Sequence, residues 1–365
     1  MTDTDLSISE ITFNKLLQEK NNSDYKNLSW DEWFQYLVKT KTQTIIPNMF
    51  EKTIRKFYER DFDEWVTNFA GNINHIWAEK SAKELELFFN DNSTAEEKSA
   101  IVIGRGPSIK KHKHLELLAN SNYKGSIICT DGALINVLNA GVTPEIFPKF
   151  YVVTADPYKE QLQVYDNKII DEFGAKIKGF FSTLTNPIAV ERARRAGIQI
   201  HWYHPLFDYN EGKKSFNQIS ALMVRTIKHI DGLPAIQTGG NVGTSSWFVA
   251  WQILKCKTIG LIGINHGWEE DDPLDMILSH GHNSNLQQVE RNSLKFKKLF
   301  PTIYNPDFKT NCILDPLFQY YRNALLEFIS RSPVLITTIN CTEGGSIFGD
   351  RIISITFKNF LTNYF

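Results

Sequence analysis

The sequence predicts an α/β fold: a mostly parallel sheet with helices on both faces, preceded by a helical N-terminal region. Three observations carry this. After residue 99, short β-branched or aromatic runs alternate with longer helix-like patterns. Polar and often glycine-rich groups follow those runs, where parallel strands would end. Before residue 97, bulky residues recur instead at helical spacing.

In the N-terminal region, Trp30, Trp33, Phe34 and Leu37 form one apolar set. Phe57, Tyr58, Phe62, Trp65, Phe69, Ile73, Ile76 and Trp77 form a second. Such a stripe is read as core ahead of partner surface. Ser29, with Glu32 three residues on, makes a capping box at a helix start. Residues 90–98 are polar and turn-forming and mark a boundary. Strands are expected at 100–104, 126–130, 150–155, 177–182, 198–203, 258–264 and 334–339. Helices are expected at 132–140, 187–196, 217–230, 243–255, 286–299 and 317–330, with Gly141 and Gly197 ending two of them. A sheet of this kind binds ligands at the carboxyl ends of its strands, near a reversal in strand order.

The 365 residues, 42% of them hydrophobic, suffice for a large core. Lys and Arg number 40 against 41 Asp and Glu, so no basic excess favours nucleic acid as a partner. Cys129, Cys256, Cys312 and Cys341 lack the spacing of a metal knuckle or redox pair. Cys129 and Cys256 sit near apolar runs and read as buried thiols, which fits a reducing cytoplasm. The polar start Met1–Asp5 is no signal peptide, and no apolar run is long enough for a transmembrane segment. A cytoplasmic location is therefore expected.

Residues 101–108, Ile-Val-Ile-Gly-Arg-Gly-Pro-Ser, are the most informative. A buried strand enters a turn of two glycines, and Pro107 suits a helix start. Gly104, Gly106 and Ser108 then form either a phosphate or nucleotide loop or an ordinary Gly-Pro turn. Further polar groups follow other strands: Thr130-Asp131-Gly132, Asp156-Pro157, Thr238–Ser245, Asn265–Trp268 and Asn340–Ser346. Gly239, Gly240 and Gly243 surround Asn241 at a helix start, a second loop of N–H donors. Asn241, Thr244 and Ser245 are suited to a base, ribose or sugar. Asp131 and Asp156 suit ribose hydroxyls or a divalent cation, or else cap turns. Glu343 suits proton transfer or a hydroxyl, or is a solvated turn residue.

His112 and His114 are expected on a solvated helix face. His266, His280 and His282 lie in a polar segment, Asn265 to Asn283, that is long for a simple connection. A histidine there is a general acid or base, or a surface residue. Zinc held by His280 and His282 ranks last, because no third ligand stands at a recognisable spacing. No metal ligand set is assigned.

The order strand-Gly-x-Gly-Pro-Ser, then Thr130-Asp131-Gly132-Ala133-Leu134 and Gly141-Val142-Thr143-Pro144, resembles a domain shared by two groups. One is the motility-associated factor glycosyltransferases that modify flagellins, and the other the archaeal 6-hydroxymethylpterin diphosphokinases. Gly239–Gly243 and the strand Ile259–Gly263 fit both. The resemblance spans roughly residues 98–350 and implies a Rossmann-like domain. The glycosyltransferases imply a CMP-activated nonulosonic acid whose anomeric carbon is attacked by an acceptor hydroxyl. The diphosphokinases imply ATP, magnesium and a pterin alcohol.

Thr342-Glu343-Gly344-Gly345 resembles a downstream motif of the glycosyltransferase side. Thr154-Ala155-Asp156-Pro157 keeps only one acidic residue where the diphosphokinases carry Asp-x-Asp-Gly. The sequence thus reads as a helical region 1–97, a transferase domain 98–350 and a C-terminal extension 351–365 packed on that domain. The expected activity is that of a glycosyltransferase using a CMP-linked acidic sugar. ATP–magnesium diphosphokinase is the alternative, and a non-catalytic nucleotide-binding or scaffold protein a second. Catalysis is assigned to His266, His282 and Glu343. Nucleotide or substrate binding is assigned to Gly104, Gly106, Ser108, Asp131, Asp156, Gly239, Gly240, Asn241 and Thr244. The nucleotide is a co-substrate rather than a tightly bound cofactor. The partner is a small-molecule, glycan or protein acceptor.

Overall fold

The computed structural model describes residues 10–21, 26–33, 47–206, 216–228, 232–280, 289–291 and 293–364. Phe34, Leu37 and His282 lie outside the described residues. The strands, in chain order, are β1 Lys80–Ser81, β2 Ser99–Ile103, β3 Ser126–Thr130, β4 Phe150–Thr154, β5 Lys178–Ser182 and β6 Gln199–Leu206. They continue with β7 Ala235–Gln237, β8 Thr258–Ile262, β9 Thr302–Asn305, β10 Thr310–Ile313, β11 Thr337–Asn340 and β12 Ile352–Ser354.

The main sheet is parallel, in the order β1-β6-β5-β4-β3-β2-β8-β11-β12, with β7 beside β6. The chain builds outward from β2 to β6 in one direction, then returns to lay β8, β11 and β12 on the other side of β2. The reversal in strand order therefore falls between β2 and β8.

The strands are buried on both faces, as parallel strands under helices must be. Ile101, Ile103, Ile127, Cys129, Val152, Phe181 and Trp202 face one core, with Phe69 and Ile76 from helix Pro47–Ala78 and Phe357 and Phe360 from helix Phe357–Asn363. Ala100, Val102, Ile128, Tyr151, Val153, Phe180 and Tyr203 face the other, under Trp247, Leu254 and Leu325. The period of two along each strand decides which core a residue joins.

Local signals hold in detail. Ser29 and Glu32 exchange capping-box bonds of 2.9 and 3.2 Å. Gly141 and Gly197 end their helices at φ +86° and +92°, a region glycine enters without Cβ strain. Phe69 and Ile76 of the aromatic stripe are core, and Phe62, Trp65 and Ile73 pack on it. All four cysteines are buried and free. No helix among the described residues is long and apolar enough to cross a membrane.

Three expectations are corrected. The segment after Asn265 is not a loose connection: Trp268 bridges Ile313, and Ile277 and Leu278 of helix Leu274–Ser279 join a separate core with Phe296 and Phe300. His114 is fully buried, under the Phe357 ring, instead of on a solvated face. Helix 286–299 shortens to Leu294–Leu299 among the described residues, because Ser293 caps it there. The short strands β1, β7, β9, β10 and β12 carry too few residues to show a period in the sequence.

Candidate functional site

The carboxyl ends of β2 and β8 meet at the reversal, and their loops interlock. The Gly104 N–H donates to Ile262 O, and the Gly106 N–H to Gly263 O, both at 2.9 Å. A Cβ on Gly104 would lie 2.3 Å from Gly263 O, and one on Gly106 2.4 Å from Asn265 Oδ1. The two glycines are thus required by the approach of these loops, and neither amide is available to an anion. The buried Ser108 hydroxyl donates to Asn265 Oδ1 at 2.8 Å, locking the same pair of loops.

The second glycine loop is equally committed. Gly239 and Gly240 take φ +53° and +79°, and a Cβ on Gly240 would lie 2.4 Å from the Tyr320 ring. Asn241 caps helix Val242–Phe248: its Oδ1 accepts from Thr244 N at 2.9 Å and its Nδ2 donates to Thr244 Oγ1 at 3.0 Å. Asn241 and the fully buried Thr244 therefore shape the loop first.

What remains open is a charged cluster beside these loops. The β3–β4 register pairs Thr130 with Val153, so Asp131 and Asp156 emerge from neighbouring strand ends. Asp131 Oδ1 accepts from Gly132 N at 2.7 Å. Thr154 lies beside it, but that hydroxyl is paired with Tyr165, and Asp131 Oδ2 is buried without a hydrogen-bond partner. Burial, then the charge of Asp156, pushes the Asp131 carboxyl up to about 8. Asp156 is raised as well, chiefly by burial, against a 2.8 Å bond from Gln161 Nε2. At neutral pH the Asp131 carboxyl therefore keeps its proton.

Arg105, the residue between the two glycines, is exposed and lies over Gly132, within the field of both aspartates. It makes no ion pair among the described residues. The half-buried Tyr321 stands within reach of the same charges and 5.9 Å from the His266 ring. Four buried polar atoms without a partner gather along this edge: Asp131 Oδ2, Gln161 Oε1, Asn265 Nδ2 and His266 Nδ1. Buried polar groups are nearly always paired, so such a gathering marks a place shaped for something else to pair with.

The expected catalytic residues divide. His266 sits at the edge in a left-handed conformation, φ +41°, and burial pulls its imidazole down to about 3. It is a neutral ring at pH 7, unable to act as a protonated acid. Glu343 faces away from the aspartates. Its Oε1 lies 3.3 Å from His114 Nε2 and accepts from Phe357 N at 3.1 Å, and its Oε2 lies 3.8 Å from His112 Nδ1. That contact holds the C-terminal helix to the helix after the Gly104–Ser108 loop. Burial pulls His114 down to about 4.

Three contributors were not assigned from the sequence. Arg105 lay inside the most informative motif. Asp315 is buried at 2% exposure and caps helix Pro316–Arg331 by accepting from Phe318 N at 2.8 Å. The same carboxylate accepts from Trp268 Nε1 at 2.9 Å and from His280 Nδ1 at 2.6 Å. The Asp315-Pro316 pair before a helical pattern was a legible N-cap signal. Helix Pro47–Ala78 also belongs to the site's frame. Its buried Asn68 donates to Pro157 O and Leu184 O at 2.8 and 3.0 Å, and its Asn72 to Thr185 O at 2.7 Å, fixing the loops after β4 and β5.

The family model for "6-hydroxymethylpterin diphosphokinase MptE-like" matches residues 67–271. The chain belongs to this family. The matched span takes in Asn68, Arg105, Asp131, Asp156, Asn241 and His266, and it ends before His280, Asp315 and Glu343. Among solved structures, the chain is similar to the MAf glycosyltransferase from Magnetospirillum magneticum AMB-1, with 14% identity and a TM-score of 0.50. The likeness covers 78% of this chain and 38% of that one, so this MptE-like chain spans well under half of that protein's length. It shows the shared fold. A search of curated proteins gives no match. The family description and the neighbour's title both name transferases.

Proposed function

We propose that this chain is a transferase that moves a group from a nucleotide-activated donor to an acceptor hydroxyl at the β2–β8 reversal. The carrying observation is the buried Asp131 carboxyl, pushed up by burial and by Asp156, beside the exposed guanidinium of Arg105, which makes no ion pair among the described residues. A protonated carboxyl such as Asp131 both donates and accepts hydrogen bonds, which suits ribose or sugar hydroxyls. An exposed guanidinium beside it suits a phosphate or carboxylate. Anion and hydroxyls together describe a CMP-linked acidic sugar, and we assign that donor. Loop N–H groups not already bonded would help stabilise the departing phosphate. Family membership supports the transferase class.

One observation favours ATP-dependent diphosphoryl transfer as a second reading. Asp131 Oδ2 is a buried oxygen without a partner, and a magnesium ion would satisfy it and ionise both carboxyls. Magnesium is commonly held by one or two carboxylates plus substrate phosphates, so Asp131 and Asp156 fit it as donors. Bound there, it would neutralise phosphate charge.

A thermal-shift and calorimetry screen of CMP, CDP, UDP, GDP and ATP, with and without magnesium, tests the assignment. Preference for cytidine nucleotide without a magnesium requirement is the expected result. Binding of ATP and 6-hydroxymethyl-7,8-dihydropterin only with magnesium would replace it by the diphosphokinase. No binding of any nucleotide would overturn both in favour of a scaffold role.

A further inference from the structure

Asp315 accepts three donors at once: an indole, a backbone N–H and an imidazole. The first two fix the carboxylate, so its position does not depend on His280. His280 is then held through Nδ1, packed 4.2 Å from the Phe318 ring and 5.5 Å from Trp268. Its Nε2 makes no hydrogen bond among the described residues, and the side chain keeps 22% exposure. A carboxylate bonded to Nδ1–H fixes the tautomer that leaves Nε2 with its lone pair free. The same helix carries Tyr321, which faces Asp156, Arg105 and Asp315 together. His266 lies between, 6.2 Å from Phe318. Through Tyr321 and His266 the dyad lies along the same strand-end edge as the Arg105–Asp131–Asp156 cluster.

Resting on the transferase reading above, we infer that His280 is the catalytic base for the acceptor and that Asp315 is its positioning residue. The acceptor O–H proton passes to His280 Nε2 as the acceptor oxygen bonds to the donor's electrophilic atom. The bond from that atom to the leaving phosphate oxygen breaks, and its electron pair stays on the nucleotide. His266 is the neighbouring ring that does not serve, because burial makes its imidazole too weak a base to hold the proton. Tyr321 on helix Pro316–Arg331 and the buried Cys312 on β10 also lie within the charge of Asp315, and Arg322 lies within that of His266.

The test uses the full chain with CMP-N-acetylneuraminic acid, or ATP–magnesium with the pterin alcohol, as the donor systems, alongside calorimetry with CMP or ATP. His280→Gln is expected to lower kcat about 100-fold or more while nucleotide affinity and melting temperature stay unchanged. Asp315→Asn keeps a good N-cap but not the carboxylate. It is expected to lower kcat and displace the acidic limb of the pH–rate profile, which a merely structural loss would not do. Should His280→Gln fold poorly, the Asp315→Asn profile and the site of diethyl pyrocarbonate acylation in the wild type decide. Acylation at His280, slowed by bound nucleotide, supports the assignment, and an unreactive His280 overturns it. Turnover that survives His280→Gln removes the base and leaves the transferase standing. Absence of binding and turnover in the wild type removes the transferase reading and the base with it.

Discussion

Replacing Asp131 by Asn isolates the electrostatic cost of the cluster. The carboxyl is 3% exposed, and its pKa rises from 3.8 in the open chain to about 8 when folded. Below about pH 4 both states hold the proton and nothing is lost. Between pH 4 and 8 the folded state binds more protons than the unfolded, so stability falls as pH rises. About four pH units at about 1.4 kcal/mol each set a ceiling of ~6 kcal/mol by pH 8. Relaxation and water around a buried charge reduce this, to ~1–3 kcal/mol.

Asn is neutral at every pH, and its carbonyl still accepts from Gly132 N. Asp131→Asn is therefore expected to match the wild type near pH 4 and to be the more stable protein at pH 8. Urea unfolding of both proteins at half-unit pH steps gives the difference curve. A variant less stable than wild type at pH 8, or a difference that does not grow with pH, would refute the burial argument. The same substitution removes an acceptor from the site, so nucleotide affinity is expected to fall as stability rises, a common trade at functional sites.

Gly106→Ala places a methyl 2.4 Å from Asn265 Oδ1 and 2.7 Å from Gly263 O, and should cost ~2 kcal/mol or more in denaturant unfolding. Glu343→Gln weakens the hold on His114 and on the Phe357 N–H. Stability should drop by ~1–2 kcal/mol, with nucleotide affinity in calorimetry unchanged. A lost affinity would return Glu343 to the site. Asn68→Ala strips two bonds from the loops after β4 and β5 and should destabilise by ~1–3 kcal/mol, with faster amide exchange in those loops.

What the sequence made legible was set by local rules. The glycine loops, the capping box at Ser29 and the helix-ending Gly141 and Gly197 each depend on a few neighbouring residues. Alternation of apolar runs was enough to place β2 to β6 and β8. Asp131 and Asp156 stood out because each follows a strand, but their proximity came from the β3–β4 register, which one strand alone does not state. The burial of His114 was not legible, because its partner Glu343 is 229 residues away in sequence. His280 and Asp315 are 35 residues apart, with the β9–β10 hairpin between them, so nothing local joins them. Asn241 illustrates a different limit: the residue that caps a helix and the residue that binds a base look alike in sequence.

In the proposed transferase, the β2–β8 reversal binds a nucleotide-activated donor through Arg105 and the aspartate pair. Calorimetric titration of wild type and Arg105→Ala with CMP measures that contact. The guanidinium is exposed and makes no ion pair among the described residues, so its removal should leave the melting temperature unchanged. Loss of a charge-assisted bond to the ligand should weaken binding ~10- to 100-fold. Equal affinity in the two proteins, or no affinity in either for CMP or ATP, would contradict the claim.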